Sequence, residues 1–294
     1  MSHDHAHQHD IESMGDRRLL LAIIANMLLT VAQVIGGIVS GSLSLIADAL
    51  HNFSDASSLL LAWLARRIGR QPADELRTFG YQRAEVIAAL INLVTLVIIG
   101  LYLIYEAAWR VFDPQVIEGW IVVIVAGIAL VVDVATAVLT WSMSKNSMNI
   151  RAAFLHNVSD ALASVGVVIA GTLILLYGWY WTDTALTLVI AAYVLYQAAS
   201  LLPKTIHLLM EGTPEGLTVA DVKAGMEAVE GVQNVHHIHL WQIDEHRSAL
   251  EAHVVIACFE DTASIKDALK VLLGESFDIA HSTLEFEIRN CGDT

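Results

Sequence analysis

Long apolar runs fill the first two thirds of the chain and alternate with short polar connections. A helix of about 20 apolar residues is long enough to cross the hydrocarbon core of a bilayer. The runs therefore predict six membrane-spanning helices, and a large buried helical core is the less favoured alternative. The six runs are Leu19–Ser40, Leu43–Ala65, Val86–Trp109, Trp120–Trp141, Phe154–Gly178 and Asp183–Leu202.

After residue 206 the pattern changes to shorter segments. Apolar residues at helical spacing follow Thr218 and stop before Gly231, which predicts a helix capped by Thr218. The order helix, strand, strand, helix, strand predicts a small two-layer α/β domain. The remaining segments are two strands in a hairpin, Val235–Asp244 and Ser248–Ile256, a helix, Ser264–Glu275, and a last strand, Ser282–Ile288.

Lysine and arginine are distributed unevenly between the two ends of the predicted helices. Basic residues accumulate on the cytoplasmic side of membrane proteins. Only Arg110 lies on the side opposite to the termini, so both termini are expected in the cytoplasm. Ten basic residues share the side of the termini: Arg17, Arg18, Arg66, Arg67, Arg70, Arg77, Arg83, Lys145, Arg151 and Lys204.

The chain is thus predicted to be a membrane α-helical protein of three parts. Residues 1–16 form a histidine-rich cytoplasmic tail, 17–206 a six-helix transmembrane domain, and 207–294 a cytoplasmic domain. With 55% hydrophobic and 16% charged residues, the composition fits a membrane protein better than a soluble domain. The last part holds 16 acidic residues against 5 basic ones, which argues against nucleic-acid binding and favours cations as partners.

A six-residue word occurs twice, as HNFSDA at 51–56 and HNVSDA at 156–161, inside the second and fifth predicted helices. Residues four apart lie on the same face of a helix, so His51 shares a face with Asp55, and His156 shares a face with Asp160. If these helices touch, two imidazoles and two carboxylates converge, which suits tetrahedral zinc. The two helices run in opposite directions, as in transporters built from inverted repeats.

This ligand set also implies an exchange reaction. Two carboxylates balance the charge of a divalent metal, which matters because uncompensated charge inside a membrane is costly. The metal binds only ligands that have lost their protons, so metal and protons compete for the same atoms. A protein that opens such a site alternately to each face would exchange metal for protons.

Other polar residues in the predicted helices have open roles. Asp48, three residues before His51, is expected to be a fifth ligand, a proton carrier or a hydrogen-bonding neighbour of the ligands. Asp133 would mark an ion path. Asp183 would either attract departing cations or cap a helix. The amides of Asn26, Gln33 and Asn92 are expected to hydrogen-bond between helices.

Histidines also cluster outside the membrane. In the segment VHHIHLWQ, strand alternation predicts that His237, His239 and Trp241 share one face and that His236 points to the other. The N-terminal segment HDHAHQHD is expected to collect zinc, with a dispensable tail as the alternative. Its histidines are His3, His5, His7 and His9.

The chain resembles the cation diffusion facilitator family, the proton-coupled exporters of zinc and related divalent metals. The resemblance depends on the six spans, the repeated word, the segments RTFGYQRAEVIAALIN (77–92) and NIRAAFLHNVSDALASVGV (149–167), and the short acidic domain. It implies a homodimer with a ferredoxin-like or metallochaperone-like cytoplasmic domain. It assigns metal transport to His51, Asp55, His156 and Asp160, in the version typical of zinc exporters with cadmium as a second substrate.

The resemblance also implies a second metal site, and at a third position the chain differs from some members of the family. His236, His253 and Glu287 match metal-binding positions of some relatives, while packing or dimerisation is the alternative role for His239 and Trp241. Some relatives bind a metal through one Asp and two His between the second and third helices. Here Asp74 matches, but Arg77 and Tyr81 stand at the histidine positions, so that loop site is expected to be missing.

These inferences favour an exporter of zinc, with cadmium as a further substrate, that works in exchange for protons. The resemblance implies that it lies in the inner membrane of a bacterial cell. An intramembrane metal-dependent enzyme is one alternative, but four protein ligands leave no coordination position for water, and the chain has no HExxH. A membrane metal sensor is the other alternative, and vesicle transport would distinguish them.

Overall fold

The computed structural model describes residues 27–141, 148–244 and 247–288. Six long helices in this part match the six predicted ones, and most extend a few residues beyond the apolar runs. The predicted start of the first helix, at Leu19, lies outside the described residues. The helices are α1 (Met27–Ser40), α2 (Leu43–Gly69), α3 (Ala84–Phe112), α4 (Gly119–Trp141), α5 (Met148–Tyr177) and α6 (Trp181–Leu209).

The helices α3 to α6 each contain a stretch long and apolar enough to cross a membrane, and at most 28% of each stretch is buried in the protein. The described part of α1 is apolar but shorter. Helix α2 has 27 residues, about 40 Å, and its polar side chains lower its hydropathy. Among them Asp48, His51 and Asn52 are buried, so α2 turns a polar stripe towards its neighbours.

Small residues allow α4 and α5 to approach closely. A Cβ on Gly119 would lie 2.9 Å from the carbonyl oxygen of Gly171, which only a glycine permits. Close backbone approach at small residues is a common way of packing membrane helices. The contact fixes α5, which bears His156 and Asp160, against α4, which bears Asp133.

The C-terminal segments form the predicted small α/β domain. Strands β1 and β2 pair antiparallel, β2 and β3 pair parallel, and β2 lies in the centre. Thr218 caps the first helix as predicted, since its hydroxyl accepts a hydrogen bond of 3.1 Å from the amide of Asp221. The elements are α7 (Val219–Glu227), β1 (Val232–Gln242), β2 (Ser248–Ile256), α8 (Thr262–Phe277) and β3 (His281–Glu287).

The fold divides into two compact units. One contains the described residues up to 60 together with 91–200, and its core is formed by helix side chains such as Leu45, Leu103 and Val167. The other contains 61–90 and the described residues from 201 onwards, with Met226, Leu250 and Leu269 in its core. The end of α2, the connection to α3 and the start of α3 thus belong to the same unit as the α/β domain.

Candidate metal sites

Four predicted side chains come together between α2 and α5. The Nε2 atom of His51 lies 3.6 Å from Asp55 and 3.7 Å from Asp160. The Nε2 atom of His156 lies 3.3 Å from Asp55 and 3.5 Å from Asp160. Each imidazole thus faces one carboxylate of its own helix and one of the other helix. We call these four residues the membrane cluster.

The members of the membrane cluster differ in depth. Ligand atoms of His51, Asp55 and Asp160 lie within 4.8 Å of one another, while the ring of His156 lies 6.2 Å from that of His51. The side chains of His51 and Asp160 are 5% and 11% exposed, against 27% for Asp55 and 41% for His156. The cluster therefore has a buried pair and a more exposed pair.

Several polar atoms of the membrane cluster have no hydrogen-bond partner. These buried atoms are Nδ1 of His51, Oδ2 of Asp55 and Oδ1 of Asp160. Leaving a buried carboxylate oxygen unpaired is unfavourable. A divalent cation between the two carboxylates and the two imidazoles would satisfy these oxygens, and nitrogen and oxygen ligands of this kind suit zinc.

Asp48 is held by an amide and lies outside the group of converging ligand atoms. Its Oδ2 atom accepts a hydrogen bond of 2.6 Å from Gln33 of α1, and Gln33 in turn accepts one of 3.2 Å from Asn52 of α2. The predicted hydrogen bonding of Gln33 between helices is confirmed. So is that of Asn92 in α3, which accepts a hydrogen bond of 3.3 Å from Ser54. Asn26 lies outside the described residues.

Two polar residues near the membrane cluster were not predicted from the sequence. Ser164 of α5 donates a hydrogen bond of 2.8 Å to Asp133 of α4, and both residues are buried. Its position four residues after Asp160, on the same helix face, was a signal that could have identified it. Tyr193 of α6 lies edge-on to His51, with ring centroids 6.1 Å apart, and nothing in the sequence indicated that contact.

Asp183 caps a helix, but the helix is α2 rather than its own. Its carboxylate accepts hydrogen bonds from the amides of Leu43, at 2.8 Å, and Ser44, at 3.2 Å. The hydroxyls of Ser42 and Ser44 each donate a further bond of 2.6 Å. Arg110 lies 3.8 Å away and donates to the carbonyl of Gly41. The fully buried carboxylate thus closes the α1–α2 turn.

A second group of potential ligands lies on the sheet of the α/β domain. Glu287 of β3 lies 3.2 Å from Nε2 of His236 in β1 and 2.7 Å from Nδ1 of His253 in β2. Ligand atoms of these three residues all lie within 4.8 Å of one another. We call them the cytoplasmic cluster. The three residues that the family resemblance implied are therefore adjacent in space.

The predicted contact face of His237 and His239 on β1 is confirmed, since their rings lie 4.7 Å apart, but the prediction that His236 points to the opposite face is wrong. The pairing of β1 with β2 shifts between His236 and His239, and His237 adopts a left-handed backbone, with φ of 49°. Such a bulge redirects the side chains around it. The rings of His236 and His237 consequently both adjoin His253, with centroids 5.3 and 4.8 Å away. The Nε2 atoms of His237 and His239 lie 3.3 Å apart.

The connection between α2 and α3 is held by hydrogen bonds around Asp74. The carboxylate accepts from the amides of Leu76, at 2.8 Å, and Arg77, at 2.6 Å, and from the hydroxyl of Tyr81. The bond from Tyr81 holds the pKa of the Asp74 carboxyl below its usual value. The Arg77 guanidinium lies 4.7 Å from the Tyr81 ring centroid, at a distance typical of a cation–π contact.

In the part of the chain that the structure describes, only the two clusters bring three or more potential metal ligands together, and Asp74 belongs to neither. The four N-terminal histidines lie outside the described residues.

Both parts of the chain match known families. Residues 19–210 match the cation efflux transmembrane domain, and residues 214–288 match the cation efflux protein cytoplasmic domain. The chain is 35% identical, over 96% of its length and 91% of the relative, to the cadmium, cobalt and zinc/H(+)-K(+) antiporter of Bacillus subtilis. It is 34% identical to the zinc transporter ZitB of Escherichia coli, over 99% of its length and 93% of the relative.

A solved structure is also similar to part of the chain. It is the metal-bound C-terminal domain of the CzcD transporter from Cuprividus metallidurans, 30% identical over 24% of this chain and 99% of that chain, with a TM-score of 0.23.

Proposed function

The chain belongs to the cation efflux family, the cation diffusion facilitators, and from that membership we propose that it exports zinc from the cytoplasm in exchange for protons. Cadmium is a second substrate. Two similar relatives are named as an antiporter of cadmium, cobalt and zinc and as a zinc transporter, and the family is one of transporters rather than enzymes. The membrane cluster is the transport site.

One observation carries this assignment. Oxygens of Asp55 and Asp160 are buried without hydrogen-bond partners while they face the imidazoles of His51 and His156. Buried oxygens without partners are unfavourable when the site is empty, and they favour the binding of a divalent cation. The ligands come from two antiparallel helices, so a change in the relation between α2 and α5 would alter the coordination of the metal.

The depth of the four ligands suggests the route. With both termini in the cytoplasm, Asp55 and His156 are the members nearer the cytoplasmic end of their helices, and they are the more exposed pair. His51 and Asp160 lie further out and are buried. Zinc would enter past His156 and Asp55 and would be released beyond His51 and Asp160. Asp48, the next carboxylate outward on α2, is a candidate station for the departing metal or for an entering proton.

Protons are coupled to zinc through the ligands themselves. Zinc binds when the imidazoles are neutral and the carboxylates are ionised, and protons that reach the same atoms favour its release. When the site faces the outside, protonation would therefore discharge the metal. The protonated site would then return to the cytoplasmic side.

The cytoplasmic cluster is proposed as a second zinc site with a regulatory role. Two imidazole nitrogens and a carboxylate form a donor set that suits zinc. The bonds of Glu287 to both histidines hold the three side chains close together without a metal. Metal here would stabilise the α/β domain, through which two copies of the chain are proposed to form a homodimer.

The protein is an integral membrane protein with several spans, and we place it in the inner membrane of a bacterial cell with both termini in the cytoplasm. The described helices and the bacterial relatives support the first part. The excess of arginine and lysine on one side supports the orientation. The N-terminal histidines would then face the same cytoplasmic zinc as the entrance of the transport site.

Zinc uptake into proteoliposomes that contain the purified protein tests this function. We expect uptake that accelerates when a pH gradient drives protons in the opposite direction, and none in empty liposomes. A parallel series with a potassium gradient determines whether potassium takes part, as the name of one relative indicates. Binding of zinc without transport in any gradient would contradict the proposal and favour a metal sensor.

A further inference from the structure

Apart from the two metal clusters, a cavity of about 390 Å³ opens between the end of α2, the start of α3 and the residues Asp244 and Arg247, which lie after β1 and before β2. All its walls belong to one compact unit of the fold. Its polar side chains are three guanidinium groups, two carboxylates and one amide. They are Arg66, Arg70, Arg247, Glu85, Asp244 and Gln82. We propose that this cavity binds the headgroup of an anionic glycerophospholipid.

The charge of the cavity favours an anion, because three guanidinium groups outnumber two carboxylates. Arg247 donates a hydrogen bond of 2.8 Å to Asp244. Arg66 lies 4.0 Å from Glu85, too far for a hydrogen bond. The exposed side chain of Arg70 makes no ion pair or hydrogen bond with the described residues. Arginine presents several donors in a fixed plane, which suits phosphate oxygens.

Two unpaired atoms define the ligand further. Nη2 of Arg247 is a buried donor without a partner, and Oε1 of Gln82 is a buried acceptor without a partner. The oxygens of a phosphodiester only accept hydrogen bonds, so they alone would satisfy only the Arg247 donor. A ligand that satisfies both atoms needs anionic oxygens and an O–H or N–H group. A phosphodiester with a hydroxylated headgroup, as in phosphatidylglycerol, meets both requirements.

The position of the cavity indicates a lipid rather than a soluble anion. Trp63, 57% exposed, lies one turn before Arg66 and Arg67, and the Arg67 guanidinium lies 5.9 Å from its ring centroid. Tryptophan and arginine at the end of a spanning helix are typical of the interface between hydrocarbon and water. The apolar helix α3, which is long enough to cross a membrane, also starts at this cavity. The cavity therefore lies at the depth of phospholipid headgroups.

Native mass spectrometry of the purified full-length protein in detergent can test the lipid. The probes are phosphatidylglycerol, phosphatidylmethanol and phosphatidylcholine with identical acyl chains. We expect phosphatidylglycerol to be retained about tenfold better than phosphatidylcholine, a difference of about 1.4 kcal/mol. Equal retention of these two lipids would overturn the proposal.

Variants locate the binding. Arg70→Gln and Arg247→Gln are expected to reduce retention of phosphatidylglycerol to the level of phosphatidylcholine. Arg67→Gln is the matched control, because Arg67 is an arginine of the same helix turn that does not line the cavity. An equal loss in Arg67→Gln would show a general attraction to basic residues and would overturn the site. Arg70→Lys keeps the charge without the planar fork, and partial retention is expected.

Two further measurements test whether the headgroup hydroxyl contacts Gln82 and whether the bound phosphate belongs to a lipid. Gln82→Leu should lower retention of phosphatidylglycerol to that of phosphatidylmethanol, which has the same charge but no hydroxyl. An unchanged preference between the two would contradict the contact with Gln82. Excess inorganic phosphate should not displace phosphatidylglycerol. Displacement would assign the cavity to a soluble phosphate and overturn the lipid.

Discussion

The membrane cluster and the cytoplasmic cluster use the same kinds of side chain but hold them in different ways. In the membrane cluster, α2 and α5 each contribute one histidine and one aspartate, so the geometry depends on how two separate helices lie together. In the cytoplasmic cluster, His236 of β1 and His253 of β2 are paired across the two strands. Glu287 lies on the neighbouring strand β3, two residues after the residue that pairs with His253. A site built within one sheet cannot open without breaking backbone hydrogen bonds, whereas a site between helices can.

The two clusters also differ in how they satisfy their carboxylates. Glu287 is hydrogen-bonded to both histidines of its cluster. Asp55 and Asp160 have oxygens without such bonds, although imidazoles lie close to them. The cytoplasmic cluster is therefore stable in its present form, while the membrane cluster depends on what binds there. A cluster that keeps its ion would have the first property, and a cluster that takes up and releases a transported ion would have the second.

Asp160→Asn is the change that should separate the two clusters most strongly. The amide keeps the shape but removes a ligand and its charge, so we expect zinc flux to fall by about 100-fold or more while the cytoplasmic cluster still binds zinc. Flux into proteoliposomes and calorimetric zinc binding measure the two effects. Asp113→Asn, in the exposed connection between α3 and α4, is the matched control. Flux at the normal rate in Asp160→Asn would exclude this carboxylate from the transport site.

Glu287→Gln should have the opposite pattern. The loss of its charge weakens the bonds to His236 and His253, so zinc binding by the cytoplasmic cluster should weaken by about 10-fold or more. Zinc flux should persist, because the membrane cluster is intact. Calorimetry on the full-length protein measures the change. Glu285→Gln is the control, since that exposed carboxylate lies 3.6 Å from His253, and its effect should be smaller. Similar losses in both variants would remove Glu287 from the ligand set.

His51→Asp should change the choice of metal without abolishing flux. A carboxylate in place of an imidazole makes the ligand set harder, which favours metals such as manganese. Competition of manganese with zinc uptake measures the change, and a several-fold gain is expected. His253→Asp, the equivalent change in the cytoplasmic cluster, should leave the selectivity of transport as it was. If His51→Asp keeps the original selectivity, that residue does not determine it.

Tyr81→Phe should have the smallest effect, and it concerns a carboxylate that lies in neither cluster. Ionised Asp74 accepts bonds from the amides of Leu76 and Arg77, and its lowered pKa keeps it ionised as the pH falls. Protection of these amides should be present above the usual pKa of aspartate and lost below it. Without the Tyr81 hydroxyl, the loss should occur at higher pH. Hydrogen exchange, corrected for intrinsic rates, measures this, and an unshifted pH would assign the low pKa to the amides alone.

The sequence was most informative where function depends on local spacing. Four residues of the membrane cluster follow from a repeated word, because the spacing of four residues puts His51 with Asp55, and His156 with Asp160, on one face in any α-helix. The helices and strands followed from apolar periodicity, and the cap at Thr218 followed from its residue type. These features need no knowledge of how distant segments pack.

Contacts between distant segments could not be predicted in this way. The bond between Ser164 and Asp133 depends on the rotation of α4 and α5 about their axes. The bulge at His237 places a residue that is not glycine in a left-handed conformation, and the shift in the pairing with β2 redirects His236 in a way that the residue types of β1 do not indicate. The cavity beside Arg70 depends on Asp244 and Arg247, which follow α2 by more than a hundred residues.

The cap on α2 has a consequence for biogenesis. The amide of Leu43 receives its acceptor from Asp183, 140 residues later in the chain. While a ribosome is still producing α3 to α5, Asp183 is absent. The amides of Leu43 and Ser44 in the first turn of α2 then have only water or lipid headgroups as acceptors. The hairpin of α1 and α2 therefore becomes complete at its turn only after α6 has been inserted. A nascent chain that stops before α6 would present an unfinished helix start to the quality-control proteases of the membrane.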